Sequence, residues 1–414
     1  MLKSFTVENY KSFARKQIID LKPITVFFGW NSGGKSALLR FLPLLSESLK
    51  NGGSPLWLEG DVGKSNPWSS FTCKATNRSS ISFSLNWSSP QSISNDFVEW
   101  KITGDPAGSW QQVDNLNINL NTVSSTGRPE VTLSLIPNDK ISFQSFSPLC
   151  VKGEMFENVL NTIGYNLKEL SENIEWLGGI RKKTPRVIQY GGSISKKIDV
   201  DGGNSITNLI NSYQNKSDAD DFLFVKGFFS ELGEELTFNN PSDGLWQVML
   251  HPKSNPGVRV DLCDTGEGYS QVLPVLISLA KLHTNNGKIA CIEQPELHLH
   301  TKAQKVLAKK IIEAVKKEDG VHSTTAIIET HSEVFLTSLQ LEIAKKNISN
   351  DMVRLYWIES QSDGTSDIIP IDFDENGRPN SPILLTAFQE AVNISQELIS
   401  TQLSRQHYVN DNQE

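Results

Sequence analysis

Four cysteines in 414 residues, Cys73, Cys150, Cys263 and Cys291, stand far from one another. None forms a C-x-x-C pair or has a histidine at zinc spacing, so neither a disulfide framework nor a zinc knuckle organises the chain. The thiols are expected to be reduced and mostly buried. No apolar run approaches the roughly 20 residues that span a bilayer, and Met1-Leu2-Lys3-Ser4-Phe5 lacks the apolar core of a secretory signal. The expectation is a cytoplasmic protein with no membrane segment. Sustained heptads are missing too, which argues against an extended coiled-coil arm. Positive charge is not in surplus: 39 Lys and Arg against 47 Asp and Glu leave a net charge of −8. Such a chain does not coat nucleic acid by charge alone, although a local basic groove stays compatible with it. Lys309-Lys310 and Lys316-Lys317 read as a solvated helix face.

What the chain does have stands near its start. Gly29-Trp30-Asn31-Ser32-Gly33-Gly34-Lys35-Ser36 fits the phosphate-loop pattern G-x-x-x-x-G-K-[ST] in full. Pro23 to Phe28 before it reads as a buried strand, and Ala37 to Leu42 after it as a helix that Pro43 should kink. In that context the backbone N–H groups of Gly29, Asn31, Ser32, Gly33, Gly34 and Ala37, at a helix N-terminus, suit a di- or triphosphate. Lys35 would bridge β- and γ-phosphates, and Ser36 would ligate Mg²⁺. ATP with Mg²⁺ is the expected cofactor pair.

The rest divides by composition. Residues 1–50 carry the loop, and 51–150 are rich in Ser, Asn, Gly and Trp with alternating apolar stretches, a β-rich insertion extending the nucleotide lobe. Residues 151–240 read as a small helical subdomain, with helical spacing over Phe156 to Leu177, Ser205 to Tyr213 and Asp218 to Leu232. From 241 to 380 a βα rhythm returns, with strands expected at Trp246 to Leu250, Val258 to Leu262, Ile289 to Ile292, Thr325 to Ile328 and Val353 to Ile358. Residues 381–414 read as a helix and a frayed tail. The fold class is α/β.

Ile289-Ala290-Cys291-Ile292-Glu293-Gln294-Pro295-Glu296 supplies the partner a phosphate loop needs: an acid at a strand's C-terminal end that holds the metal. Glu293 occupies that place. His331, just past the apolar run Ile327-Ile328, could reach a γ-phosphate. His298 and His300 beside Glu296 have no third ligand at obvious spacing and are not read as a metal site.

This order of motifs, with Asp264-Thr265-Gly266-Glu267-Gly268-Tyr269-Ser270-Gln271 between phosphate loop and acid and Glu329-Thr330-His331-Ser332-Glu333 after it, resembles the ABC-type ATPases. More narrowly it is similar to the prokaryotic AAA-family ATPases of the overcoming-lysogenization-defect class, which includes subunits of the anti-phage systems Septu, Gabija and PARIS. Val7-Glu8-Asn9-Tyr10-Lys11-Ser12-Phe13 and Trp176-Leu177-Gly178-Gly179-Ile180-Arg181 with Pro185 add to the likeness. The likeness is loose from about residue 60 to 150. It implies an ABC-type P-loop head that dimerises head-to-tail, or oligomerises further, around ATP. The Gly266, Gly268 and Ser270 turn would meet the γ-phosphate of a second protomer.

ABC-type ATPases usually place a carboxylate right after the metal-binding acid, whereas here that position is Gln294. An amide is no general base at neutral pH, though it can orient a water. Glu296 is a geometric substitute, but its spacing puts it on the following loop. Hydrolysis is therefore expected to be slow. About eighty residues follow Ser332, too few for the Toprim nuclease fused to many members of the resembled class, and Asp372, Asp374 and Glu375 read as an acidic turn. The leading expectation is an ATP switch that controls an effector, a nuclease or toxin from a neighbouring gene, in phage defence. A non-catalytic ATP-bound scaffold and an SMC-type DNA-repair head are the alternatives.

Overall fold

The computed structural model describes residues 1–76, 79–88, 95–120, 131–150, 157–193, 195, 197–215, 219–316 and 324–384, with 393, 396–398, 400 and 401. In chain order the elements are β1 (Leu2–Glu8), β2 (Gln17–Asp20), β3 (Ile24–Gly29), α1 (Lys35–Asn51), β4 (Ser80–Ser88), β5 (Asn95–Gly104), β6 (Gln111–Leu120), β7 (Val131–Leu135), β8 (Ile141–Gln144) and β9 (Ser147–Cys150). Then come α2 (Glu157–Asn173), β10 (Ile174–Leu177), β11 (Ile188–Gln189), α3 (Ser205–Gln214), α4 (Ala219–Leu232), β12 (Glu234–Ser242), β13 (Leu245–Pro252), β14 (Val260–Asp261) and α5 (Glu267–Thr284). The last are β15 (Ile289–Glu293), α6 (Thr301–Val315), β16 (Thr325–Glu329), α7 (Glu333–Ala344), β17 (Val353–Ser360) and β18 (Ser366–Ile371).

Two six-stranded sheets organise these elements. One is antiparallel, in the order β2-β1-β4-β5-β6-β7. The other, β10-β15-β16-β3-β17-β18, is parallel except for its edge strand β18. Strands β3, β15 and β16 are buried along their whole length, as expected of a parallel sheet covered on both faces. The period of two then sends alternate residues into separate cores. Val26, Phe28, Ala290, Ile292 and Ile328 join the core under α3 to α7. Phe27, Cys291, Ile327 and Tyr356 join the core shared with α1 and the antiparallel sheet.

Helix α1 therefore lies between the two sheets, with Phe41 stacked on Phe5 and edge-on to Tyr10 and Phe83. Phe83 stacks in turn on Trp100. The helix runs on through Pro43 to Asn51 and ends where Gly52, at φ 69°, returns its N–H to the Ser48 carbonyl.

Several expectations shift. The β-rich stretch is present as β4 to β9 and pairs directly with β1. The helix expected to reach Leu177 stops at Asn173, because Ile174 to Leu177 are wholly buried and pair in parallel with Ile289 to Ile292 as β10. The strand expected over Val258 to Leu262 shortens to β14 and passes into a 3₁₀ turn capped by Asp261. Lys309 pairs with Glu231, whereas Lys310 turns inward to Glu313 and lies over the Phe224 ring, so that face is not uniformly solvated. Cys73 and Cys291 are buried and Cys263 is half-buried. The expected helix from Pro382 to Gln406 falls mostly outside the described residues. Among those described, no helix is long and apolar enough to cross a membrane.

Candidate nucleotide site

The parallel register sets Glu293 at the end of β15 beside Glu329 at the end of β16, and Glu329 beside Phe27 of β3. All three strands thus deliver their C-terminal ends to one place, the usual location of a ligand crevice in an open α/β sheet. The loop after β3 starts at Gly29, whose φ of 146° brings its α-carbon against Ile358; a Cβ there would sit 2.6 Å from the Ile358 carbonyl oxygen. It ends at Gly34, φ 104°, where a Cβ would meet Ser12 Oγ at 2.6 Å and the Phe13 ring. The Ser12-Phe13 pair from the opening segment thus supports the loop from behind. Trp30, Asn31 and Ser32 are exposed, Gly33 is buried, and Ala37 is half-buried in the first turn of α1.

Lys35 is 3% exposed. Its ammonium donates to the Gly29 carbonyl at 3.0 Å and to Trp30 at 2.5 Å. Burial lowers its pKa, and Glu329 partly opposes that shift. Ser36 Oγ donates to Glu329 Oε1 at 2.8 Å. Glu329 is buried, its Oε2 has no hydrogen-bond partner, and desolvation raises its pKa. A hydroxyl and an oxygen-rich, under-satisfied carboxylate suit a hard cation such as Mg²⁺. The residues present fit that ion.

Glu293 faces other partners. Arg40 of α1 grips it with Nε and Nη2, both at 2.6 Å, while Trp176 Nε1 donates at 2.9 Å and the Gly179 N–H at 3.4 Å. That pairing raises the Arg40 pKa. Gln294 follows at φ 42°, with its N–H on the Glu329 carbonyl at 2.8 Å. Arg181 is buried and donates to the Glu293 and Gln294 carbonyls and, at 3.4 Å, to that of Gln271 on α5. Burial brings its pKa down to about 10.

Glu296 is also buried. Its Oε1 accepts from Thr330 Oγ1 at 2.7 Å and from the His331 N–H at 3.1 Å, so it ties the β15 loop to the β16 loop. Desolvation raises its pKa. His331 itself is exposed, and partial burial and the Lys35 charge lower its pKa. Of the turn opening α5, Gly266 is exposed and Gly268 half-buried against the His298 carbonyl, but Ser270 is buried. Its hydroxyl donates to Thr184 Oγ1 and accepts from the Thr184 N–H at 2.7 Å. Ser270 is thus a strap to residue 184, turned away from the surface. His300 caps α6, accepting from the Lys302 N–H, and His298 sits 3.9 Å from Glu267.

A cleft of about 780 Å³ runs along α1 from this cluster, lined by Ser36, Arg40, Trp176, Glu293, Gln294 and Glu329 at one end. That volume is within the range of small-ligand clefts. The motif reading gives no role to Glu329, Arg40 or Trp176, although Glu329 and Trp176 stand inside the runs that carry the resemblance. Two signals are in the sequence: an acid closing the apolar run Thr325 to Ile328, and Arg40 as the one cation within Ala37 to Leu42.

Residues 134–336 match the family model described as AAA ATPase domain (AAA_15). Among solved structures, an SMC head bound to the C-terminal winged-helix domain of ScpA is similar with a TM-score of 0.51 and 12% identity, covering 90% of this chain and 98% of that one. The Pyrococcus furiosus SMC head domain with an extended coiled coil, bound to the C-terminal domain of ScpA, gives 0.50 and 13%, covering 96% and 99%. No curated protein matches. The chain is thus an α/β protein with the fold of an SMC- and ABC-type ATPase head, carrying a stretch similar to an AAA ATPase domain.

Proposed function

We propose that this protein is an ATP-driven switch. It binds ATP at Gly29 to Ala37, dimerises head-to-tail around the nucleotide, hydrolyses it slowly, and controls a partner effector in the cytoplasm. The observation that carries this reading is the convergence of Lys35 and Ser36 with two strand-end glutamates, followed by an amide rather than an acid at Gln294. Mg²⁺, held by Ser36 and a strand-end carboxylate, would neutralise charge as the β–γ bond breaks. Lys35 would move from the loop carbonyls to the phosphates. Gln294, beside Gly179 in the cleft, would orient the attacking water, and His331 would face the γ-phosphate from the loop after β16. The phage-defence assignment rests on the motif resemblance.

The dimer has a direct test. Addition of ATP and Mg²⁺ should double the mass seen by light scattering, and ADP should not; an unchanged mass with a non-hydrolysable analogue would remove the dimer from the reading. The amide has another. Gln294→Glu restores a proton acceptor, and since general bases contribute about 10²–10⁴-fold, phosphate release should rise at least tenfold. No rise would mean that the water is activated elsewhere.

The fold likeness to SMC heads favours a second reading, a DNA-associated head. Among the described residues the longest helix is α5, Glu267–Thr284, and no helical arm leaves the head. ATP-dependent, salt-sensitive retention on duplex DNA would favour this reading over the switch.

A further inference from the structure

We infer that the protein's divalent cation is held by Ser36 and Glu329, and that Glu293, the acid at the motif position, is a structural anchor. The inference rests on the reading of Gly29 to Ala37 as an ATP site and specifies which carboxylate serves it. A carboxylate offers about four acceptor sites. Glu293 spends all four: Oε1 on Arg40 Nε and Trp176 Nε1, Oε2 on Arg40 Nη2 and the Gly179 N–H. The guanidinium also neutralises its charge through a bidentate pair, the strong form of such contacts. A divalent cation on Glu293 would have to displace Arg40 and leave a guanidinium stranded beside it.

Glu329 is the complement. One of its oxygens accepts a single bond, from the Ser36 hydroxyl, and the other is buried without any. An under-satisfied buried carboxylate is costly unless a cation or proton completes it. Ser36 can keep its proton on Glu329 and would still have lone pairs to offer a cation. Glu329 also lines the cleft. The register explains how the two glutamates came to divide the work. They stand level on neighbouring strands, but β16 lies next to the phosphate-loop strand, and β15 lies one strand further out, beside β10 with its Trp176 and within reach of Arg40.

The experiment separates cation binding from turnover. The full chain is titrated calorimetrically with a non-hydrolysable ATP analogue, in Mg²⁺ and in EDTA. Wild type should bind more tightly with Mg²⁺. Glu329→Gln, isosteric and still able to accept from Ser36, should keep the metal-free affinity and lose at least tenfold of the Mg²⁺ gain. Glu293→Gln should keep the gain while its thermal midpoint falls. Retention of the full gain by Glu329→Gln, or its loss by Glu293→Gln, overturns the assignment. Failure of wild type to bind the analogue in either buffer would instead overturn the ATP reading itself.

Discussion

Replacing Lys35 with alanine is expected to cut phosphate release from ATP on the order of 10²–10³-fold, the cost of removing one preorganised donor from a developing charge. The environment of Lys35 supports a large effect. The ammonium is almost wholly enclosed and bound to two loop carbonyls, which hold it in the loop until phosphate oxygens take their place. Burial also disfavours its charge, and a polyanion would restore it. The loop conformation is set by Gly29 and Gly34 rather than by the lysine, so the variant should fold normally. Unchanged phosphate release with an unchanged thermal midpoint would show that ATP is not processed at this loop.

The second large effect is on stability. Arg40→Ala should cost about 3–5 kcal/mol, because it leaves Glu293 as a buried charge without the counter-ion bonded to it. An exposed pair would be worth only about 0–1 kcal/mol, but here the carboxylate side chain is 6% exposed and the guanidinium 31%. Urea denaturation followed by tryptophan fluorescence reads the change, since Trp176 touches the pair. The double variant Arg40→Met with Glu293→Leu should recover most of the loss, since removing both charges is far cheaper than removing one. A single variant as stable as wild type would mean that Glu293 is solvated or protonated without Arg40.

The strand-loop-helix around Gly29 to Ser36 was fully legible, because its glycines, lysine and flanking apolar runs are local signals. The strands at Ile289 and Thr325 were legible for the same reason. Strand β10 was not, because Ile174 to Leu177 continue the helical spacing of α2 and only pairing with β15 makes them a strand. The turn at Gly266 reads correctly as a helix start, yet the direction of Ser270 depends on Thr184, 86 residues earlier. The partition of roles between Glu293 and Glu329 lies in strand order, which no spacing records. Glu296 likewise reads as a loop acid, and its bond to the loop after β16 comes only from the neighbouring strand.

The enclosure of α1 between two sheets gives the phosphate loop a support of its own. Phe41 and its neighbours seat the helix on one side and the parallel sheet grips it on the other, so the phosphate loop stands on a fixed anvil. Arg181 joins two other parts of the site: one guanidinium spans the Glu293-Gln294 turn and α5, while Lys183, Thr184 and Arg186 fasten the same segment to Glu267, Ser270 and Asp264. Removing that one guanidinium would therefore loosen the turn after β15 and the start of α5 together, while the loop on α1 keeps its own support.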